Sequence, residues 1–207
     1  LTCFFLLANS SLQAQEIDFA EAIEKKMIST GIIGNGGYNG KCIKLSLISR
    51  SVKSLTVKIP AGWIFESEDT FMQDLMVMKE QLFVINPKSR QSIDLFTMCT
   101  QSSNHAPSKG AYFNVGKLAQ SHLLKLAQKV SANKWYKNST VQSAVWTIAN
   151  GATIDNIYGT DTAMVNGVVE VVSEATGQPV SAFYTQPREH NLTSINTSME
   201  ALITKDL

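Results

Sequence analysis

Charge is scarce in this 207-residue chain: 17% of the residues are charged and the formal net charge is +1. No cluster of Lys and Arg is dense enough to track a phosphate backbone, which excludes an electrostatic nucleic-acid footprint. No apolar run is long enough to cross a bilayer as a helix, so no transmembrane segment is expected. Histidine is limited to His105, His122 and His190, and none stands at a metal-binding spacing from another His or from a Cys. The sequence therefore implies no metal and no cofactor. It contains no internal repeat and no low-complexity tract. An apolar fraction of 44% with so few charges fits a chain that folds around a core, as one large domain or two small ones.

The chain starts LTCFFLLANSSLQAQ. Residues 3–8 form a short apolar core, followed by small and polar residues and a cut position after Ala14, the pattern of a truncated secretory signal peptide. Leu1-Thr2-Cys3 also fits the tail of a lipoprotein signal. The expectation is an exported protein, extracellular or at the cell surface. Export leaves Cys42 and Cys99 in the mature chain and permits a disulfide between them.

Residues 16–28 have helical spacing, with Ile17, Ala20, Ile23 and Met27 on one face and Gly31 as the stop. The glycine-rich GIIGNGGYNGK that follows fails as a phosphate loop. Asn35 stands where glycine is needed, and Cys42 where Ser or Thr should follow Lys41. It reads as a joint. From 42 to 100 the period changes to two, with β-prone runs at 42–48, 55–59, 75–78, 82–85 and 93–98 separated by turn residues. Asn114 then reads as the N-cap of a helix over 115–130. Further helices are expected over 140–150 and 161–175, with Gly151 and Gly177 as stops, and over 194–206, while the β-branched Val168, Val169, Val171 and Val172 leave a strand as the alternative within 161–175. The expected class is α+β: a small antiparallel β-sandwich, immunoglobulin-like or incomplete, followed by a helical subdomain. The division would be a signal peptide at 1–14, a helix and Gly-rich linker at 15–40, the sandwich at 41–100, and at 101–207 a helical subdomain packed on it.

Within TVQSAVWTIANG, residues 140–151, one side chain is out of place. Gln142 falls in the apolar arc of its helix, between Ala149 and Trp146 on the helical wheel. A primary amide placed there costs free energy unless it is hydrogen-bonded or consumed chemically. Cys99 with His105 or His122 has the residue types of a nucleophile and base, without a local signature of a cysteine peptidase. Trp63, Trp135 and Trp146 fit either buried anchors or a sugar site. Asn138, Asn191 and Asn196 each open a glycosylation acceptor triplet.

Phe96-Thr97-Met98-Cys99 ending a strand, a polar loop with His105 and Pro107, and then Gln142-Ser143-Ala144-Val145-Trp146 opening a helix resemble the thioester domains of bacterial surface adhesins. Val141 and Thr100 depart from the residues those domains carry beside the glutamine and the cysteine. The resemblance implies that the Cys99 sulfur displaces ammonia from the Gln142 amide, and that the resulting thioester bonds covalently to a partner surface. Val57-Lys58-Ile59-Pro60-Ala61-Gly62, Gln73-Asp74-Leu75, the Cys99 to Pro107 loop and Ala144-Val145-Trp146 also resemble a recurring uncharacterised domain of secreted proteins from Bacteroidota-like bacteria. The residues alone leave three states open: a Cys99–Gln142 thioester, a Cys42–Cys99 disulfide, or free thiols with Gln142 clamping the loop after Cys99. The functional expectation is an exported binding, adhesion or scaffold module without turnover, with a protein or surface glycan as ligand. The thioester adhesin is one alternative, and an extracellular hydrolase with an unrecognised site is the other.

Overall fold

A computed structural model describes residues 14–181 and Tyr184. The signal-like segment before Ala14 and the helix expected over 194–206 lie outside the described residues. The elements run β1 (Gln15–Asp18), α1 (Phe19–Glu24), β2 (Ile28–Asn35), β3 (Asn39–Ser49), β4 (Leu55–Ile59), β5 (Trp63–Ser67), β6 (Leu75–Val77), β7 (Gln81–Ile85), β8 (Arg90–Cys99), β9 (Lys109–Leu118), α2 (Ser121–Ala132), α3 (Thr140–Asn150) and α4 (Thr162–Thr176).

The class is mixed α+β and mostly strand. The sheet, however, is a closed barrel and not an open sandwich. Six strands close in the order β2-β3-β8-β6-β5-β9, and a separate sheet has the order β1-β4-β7. Three strands that the periodicity hid complete the closure, the first of them β5, which lies outside every expected run and pairs with β6 and β9. Residues expected to be a helix end and a joint form β2, paired along β3 from Ile28↔Ser49 to Gly34↔Ile43. Residues expected to start a helix form β9, with Asn114 in mid-strand, paired with β2 at Ile33↔Tyr112 and with β5 at Glu66↔Asn114. Helix α2 starts only at Ser121. The helix expected over 16–28 shrinks to the six residues of α1 after the short parallel strand β1. A closed sheet has no edge to protect, whereas each of these segments alone carries too few alternating residues to declare itself.

Two cores follow from the strand alternation. The barrel interior and the small sheet share one, which includes Phe19, Ile43, Leu45, Leu47, Leu55, Phe65, Leu75, Val77, Leu95 and Cys99. Phe19 meets Trp63 edge-on at 5.3 Å and Phe65 at 6.1 Å, a geometry that aligns ring edges with ring faces. The opposite face of β6 and β8 contributes Met76 and Met98 to the second core, with Leu126, Val130, Val141, Val145, Val165 and Val168 of the helices. Both faces of β6 are thus covered, which is why its three residues are all buried and lack alternation.

Helices α3 and α4 occupy the expected stretches. Gly151 and Gly177 sit just past their ends at φ 71° and 70°, the left-handed geometry that glycine tolerates best. The β-branched run in α4 stays helical because Val165, Val168, Val169 and Val172 fill the second core. Burial there outweighs the small propensity cost of branching. The Asp161 side chain caps α4 by accepting from the Met164 N–H at 3.0 Å. No helix among the described residues is long and apolar enough to cross a membrane.

Candidate functional site

The site is built where β8 runs out. The β3–β8 pairing ends at Asn39↔Met98, so the last residue of β8, Cys99, lies beyond the end of β3, while on its other side it pairs with Leu75 of β6. Gln142, in the first turn of α3, supplies the missing half. Its Oε1 accepts from the Cys99 main-chain N–H at 3.0 Å, and its Nε2 donates to the Cys99 carbonyl at 2.7 Å. The two partners fix the amide orientation, since a donor must face the carbonyl and an acceptor the N–H. The same N–H also reaches the Tyr38 carbonyl at 3.2 Å. Gln142 is 2% exposed, and both ends of its amide are satisfied. Its place in an apolar arc is thereby explained: its amide completes a strand ladder.

Cys42 and Cys99 are both buried and free. The Cys42 sulfur lies under the hairpin turn between β2 and β3. A Cβ added at Gly37, where φ is +88°, would come within 3.8 Å of it. Burial pushes the Cys42 thiol up to about 11, with the neighbouring Thr97 hydroxyl pulling the other way. Burial also pushes the Cys99 thiol up to about 12, and the charge that a Cys42 thiolate would carry adds to it. The helix N-terminus beside Cys99 favours a thiolate, but desolvation outweighs it. At neutral pH both sulfurs are protonated thiols and weak nucleophiles.

This protonation has a pH consequence. Both folded-state values lie above the ordinary thiol value of 9.0. Above pH 9 the unfolded chain releases these protons first and binds fewer of them than the fold. Stability therefore falls as pH rises from about 9 towards 12, and the loss levels off once the folded thiols ionise. Urea midpoints taken between pH 8 and pH 11 should show this decline. It should flatten in the Cys42→Ala/Cys99→Ala double variant.

The other residues marked in the sequence divide. Trp146 belongs to the site, with its ring stacked 6.4 Å from Tyr38 at 27°. Pro107 is buried and His105 exposed. His105 is tied by its main chain to Phe71 and Gln73, not to Cys99 or Gln142. Gln142 therefore holds Cys99 alone. The rest of the loop is pinned by Gln73, which donates to the Asn104 carbonyl at 2.9 Å, and by Asn150, which accepts from the Ser102 N–H at 2.7 Å. His122 lies half-buried on α2, near Glu174. His190 lies outside the described residues. Trp63 is in the barrel core, and Trp135 packs where a Cβ on Gly167 would meet its ring at 2.6 Å. Among the described residues, no three His, Cys, Asp or Glu side chains group as a metal site.

Above the Gln142 junction lies an open cleft of about 230 Å³, lined by Tyr38, Ser139, Thr140, Gln142, Ser143, Trp146 and Tyr158. Its walls are fixed by main-chain bonds. The Tyr38 carbonyl is held by Cys99, and the Tyr158 carbonyl accepts from the Thr140 hydroxyl at 2.8 Å. Next to Tyr158, a Cβ on Gly159 would come within 2.7 Å of the Thr140 oxygen, so the loop presses closely against α3. Tyr38 and Tyr158 were not marked as site residues in the sequence. A lone aromatic inside Gly36-Gly37-Tyr38-Asn39-Gly40 was a usable signal for the first, and nothing local marks the second.

No protein-family model, no curated protein and no solved structure matches this chain.

Proposed function

We propose that the chain is an exported binding module of the adhesion or scaffold type, which holds a partner at the cleft over Gln142 and does not turn it over. The observation that supports this reading is the locked floor of that cleft. Gln142 is tied by both ends of its amide to Cys99, and Tyr38 and Tyr158 are anchored through their carbonyls. A surface fixed before the ligand arrives loses little ordering entropy on binding.

One observation favours a second reading, the thioester adhesin. Two residues 43 positions apart, paired in sequence only by a resemblance, meet in the fold. The Cys99 N–H donates to the Gln142 carbonyl oxygen, where negative charge would grow if sulfur attacked the amide carbon. In that step the thiol proton passes to the leaving nitrogen, ammonia departs, and the sulfur–acyl bond replaces the carbon–nitrogen bond.

Intact mass of the mature chain separates the two. The binding module predicts an unshifted mass and two thiols that titrate only after denaturation. Loss of one ammonia, absent in Cys99→Ala and Gln142→Ala and followed, on treatment with methylamine, by a gain of one methylamine as the thioester opens to an N-methylamide and a free Cys99 thiol, would replace it with the thioester. Loss of two hydrogens would instead establish a Cys42–Cys99 disulfide.

A further inference from the structure

Resting on the binding-module reading, we infer that the Tyr38–Trp146–Tyr158 cleft is a subsite for one neutral sugar ring of a glycan. Two properties of the cleft point to this ligand class. It presents aromatic surface: Tyr38 is 49% exposed and Tyr158 69%, although large aromatic rings ordinarily bury most of their area. A pyranose has an apolar C–H face that covers such a ring. The polar lining groups beside the rings are the Ser139, Thr140 and Ser143 hydroxyls, the Gln142 amide being taken up at both ends by Cys99, and none of the described lining residues carries a charge. A ligand bearing a phosphate, carboxylate or ammonium would find no counter-charge, whereas hydroxyl groups would find both donors and acceptors.

The size of the cleft sharpens the assignment. A volume of about 230 Å³ is below the usual range for pockets that enclose drug-sized ligands. It suits a single ring at a chain end or branch rather than an extended peptide. A proline-rich peptide, the other common occupant of aromatic grooves, needs a groove long enough for several residues of an extended helix. The Tyr38 ring stands on a turn with positive φ at Gly36, Gly37 and Gly40 and is braced by Trp146.

The test uses the full mature chain on a printed array of neutral oligosaccharides, followed by calorimetry with the strongest hit. Methylamine and a proline-rich peptide run as comparators. The expected result is saturable binding of a neutral sugar, weakened at least about tenfold, or 1.4 kcal/mol, in both Tyr38→Ala and Tyr158→Ala. The thermal midpoint of each variant, measured alongside, identifies a loss of binding caused by unfolding. Tyr38→Phe and Tyr158→Phe, which keep the ring, should retain most of the binding. Sugar binding that survives both alanine variants overturns the assignment. Saturable binding of the peptide alone, lost in Tyr38→Ala, keeps the cleft as a binding site and overturns the sugar. Silence from every probe with a folded protein overturns both.

Discussion

Gln142→Leu is expected to destabilise the fold by about 2–3 kcal/mol, because it leaves a buried carbonyl without its donor. The Cys99 N–H keeps its second acceptor, the Tyr38 carbonyl at 3.2 Å. The Cys99 carbonyl loses the Gln142 Nε2 donor at 2.7 Å. Leucine fills a similar volume, so little of the loss is a cavity effect. Chemical denaturation of the two proteins at pH 7 measures it, and a change below about 0.5 kcal/mol would remove the ladder role.

Gln142→Glu refines the point. The protonated acid reproduces the amide, accepting from the N–H and donating to the carbonyl, whereas the carboxylate can only accept. Its folded value must therefore rise above the ordinary 4.3 or so of a glutamic acid. The variant should approach wild-type stability below that value and lose it as pH rises through the raised one. Burial of the ionised group adds to the loss at neutral pH. A stability profile parallel to wild type from pH 4 to pH 8 would show that the carboxamide donor is not needed.

Gly116→Ala carries the second large effect. A Cβ at Gly116 would stand 2.5 Å from the Ile64 carbonyl oxygen and 2.9 Å from Glu66 Cγ. The first of these is main chain and cannot swing aside. Gly116 lies where β9 crosses β5 with a register shift between Trp63 and Phe65, so the strands must separate at a point of barrel closure. The expected cost is about 2–3 kcal/mol, at the upper end for overpacking. Gly31→Ala on β2 is the control: its nearest neighbour would be Ser46 Cβ at 3.9 Å, an ordinary contact. Thermal melts of the pair should show a large drop for Gly116→Ala and almost none for Gly31→Ala. Equal melts would mean that the β5–β9 crossing is wider than it stands here.

The two substitutions probe features of different legibility. Gln142 was conspicuous in the sequence because an amide among Val141, Ala144, Val145 and Ala149 breaks a local rule, and such a break needs a partner. Pairing it with Cys99 came from a resemblance. Gly116 gave no comparable signal, because a glycine in KGAYFNVGKL reads equally as a turn or a weak spot in a helix. Its meaning depends on a carbonyl from β5, about fifty residues earlier in the chain.

The sequence by itself determined the pieces whose physics is local. Helix α3 carries its own apolar stripe and glycine stop. The stretches of β4 and β8 alternate or punctuate visibly within a few residues. Only the tertiary structure decided the rest. Residues 28–35 and 109–118 became strands because β3, β5 and each other offered ladder partners, and pairing over distance overrides weak local preference. Closure into a barrel is a relation among six strands that no single one encodes. The thiols show the same division. Their positions in the chain are plain, but burial lifted them out of the reactive range, and burial belongs to the packed molecule. The cleft likewise joins a hairpin turn, a helix and a loop from three regions of the chain. Tyr38 stacks on Trp146 only after the barrel and the helices have packed.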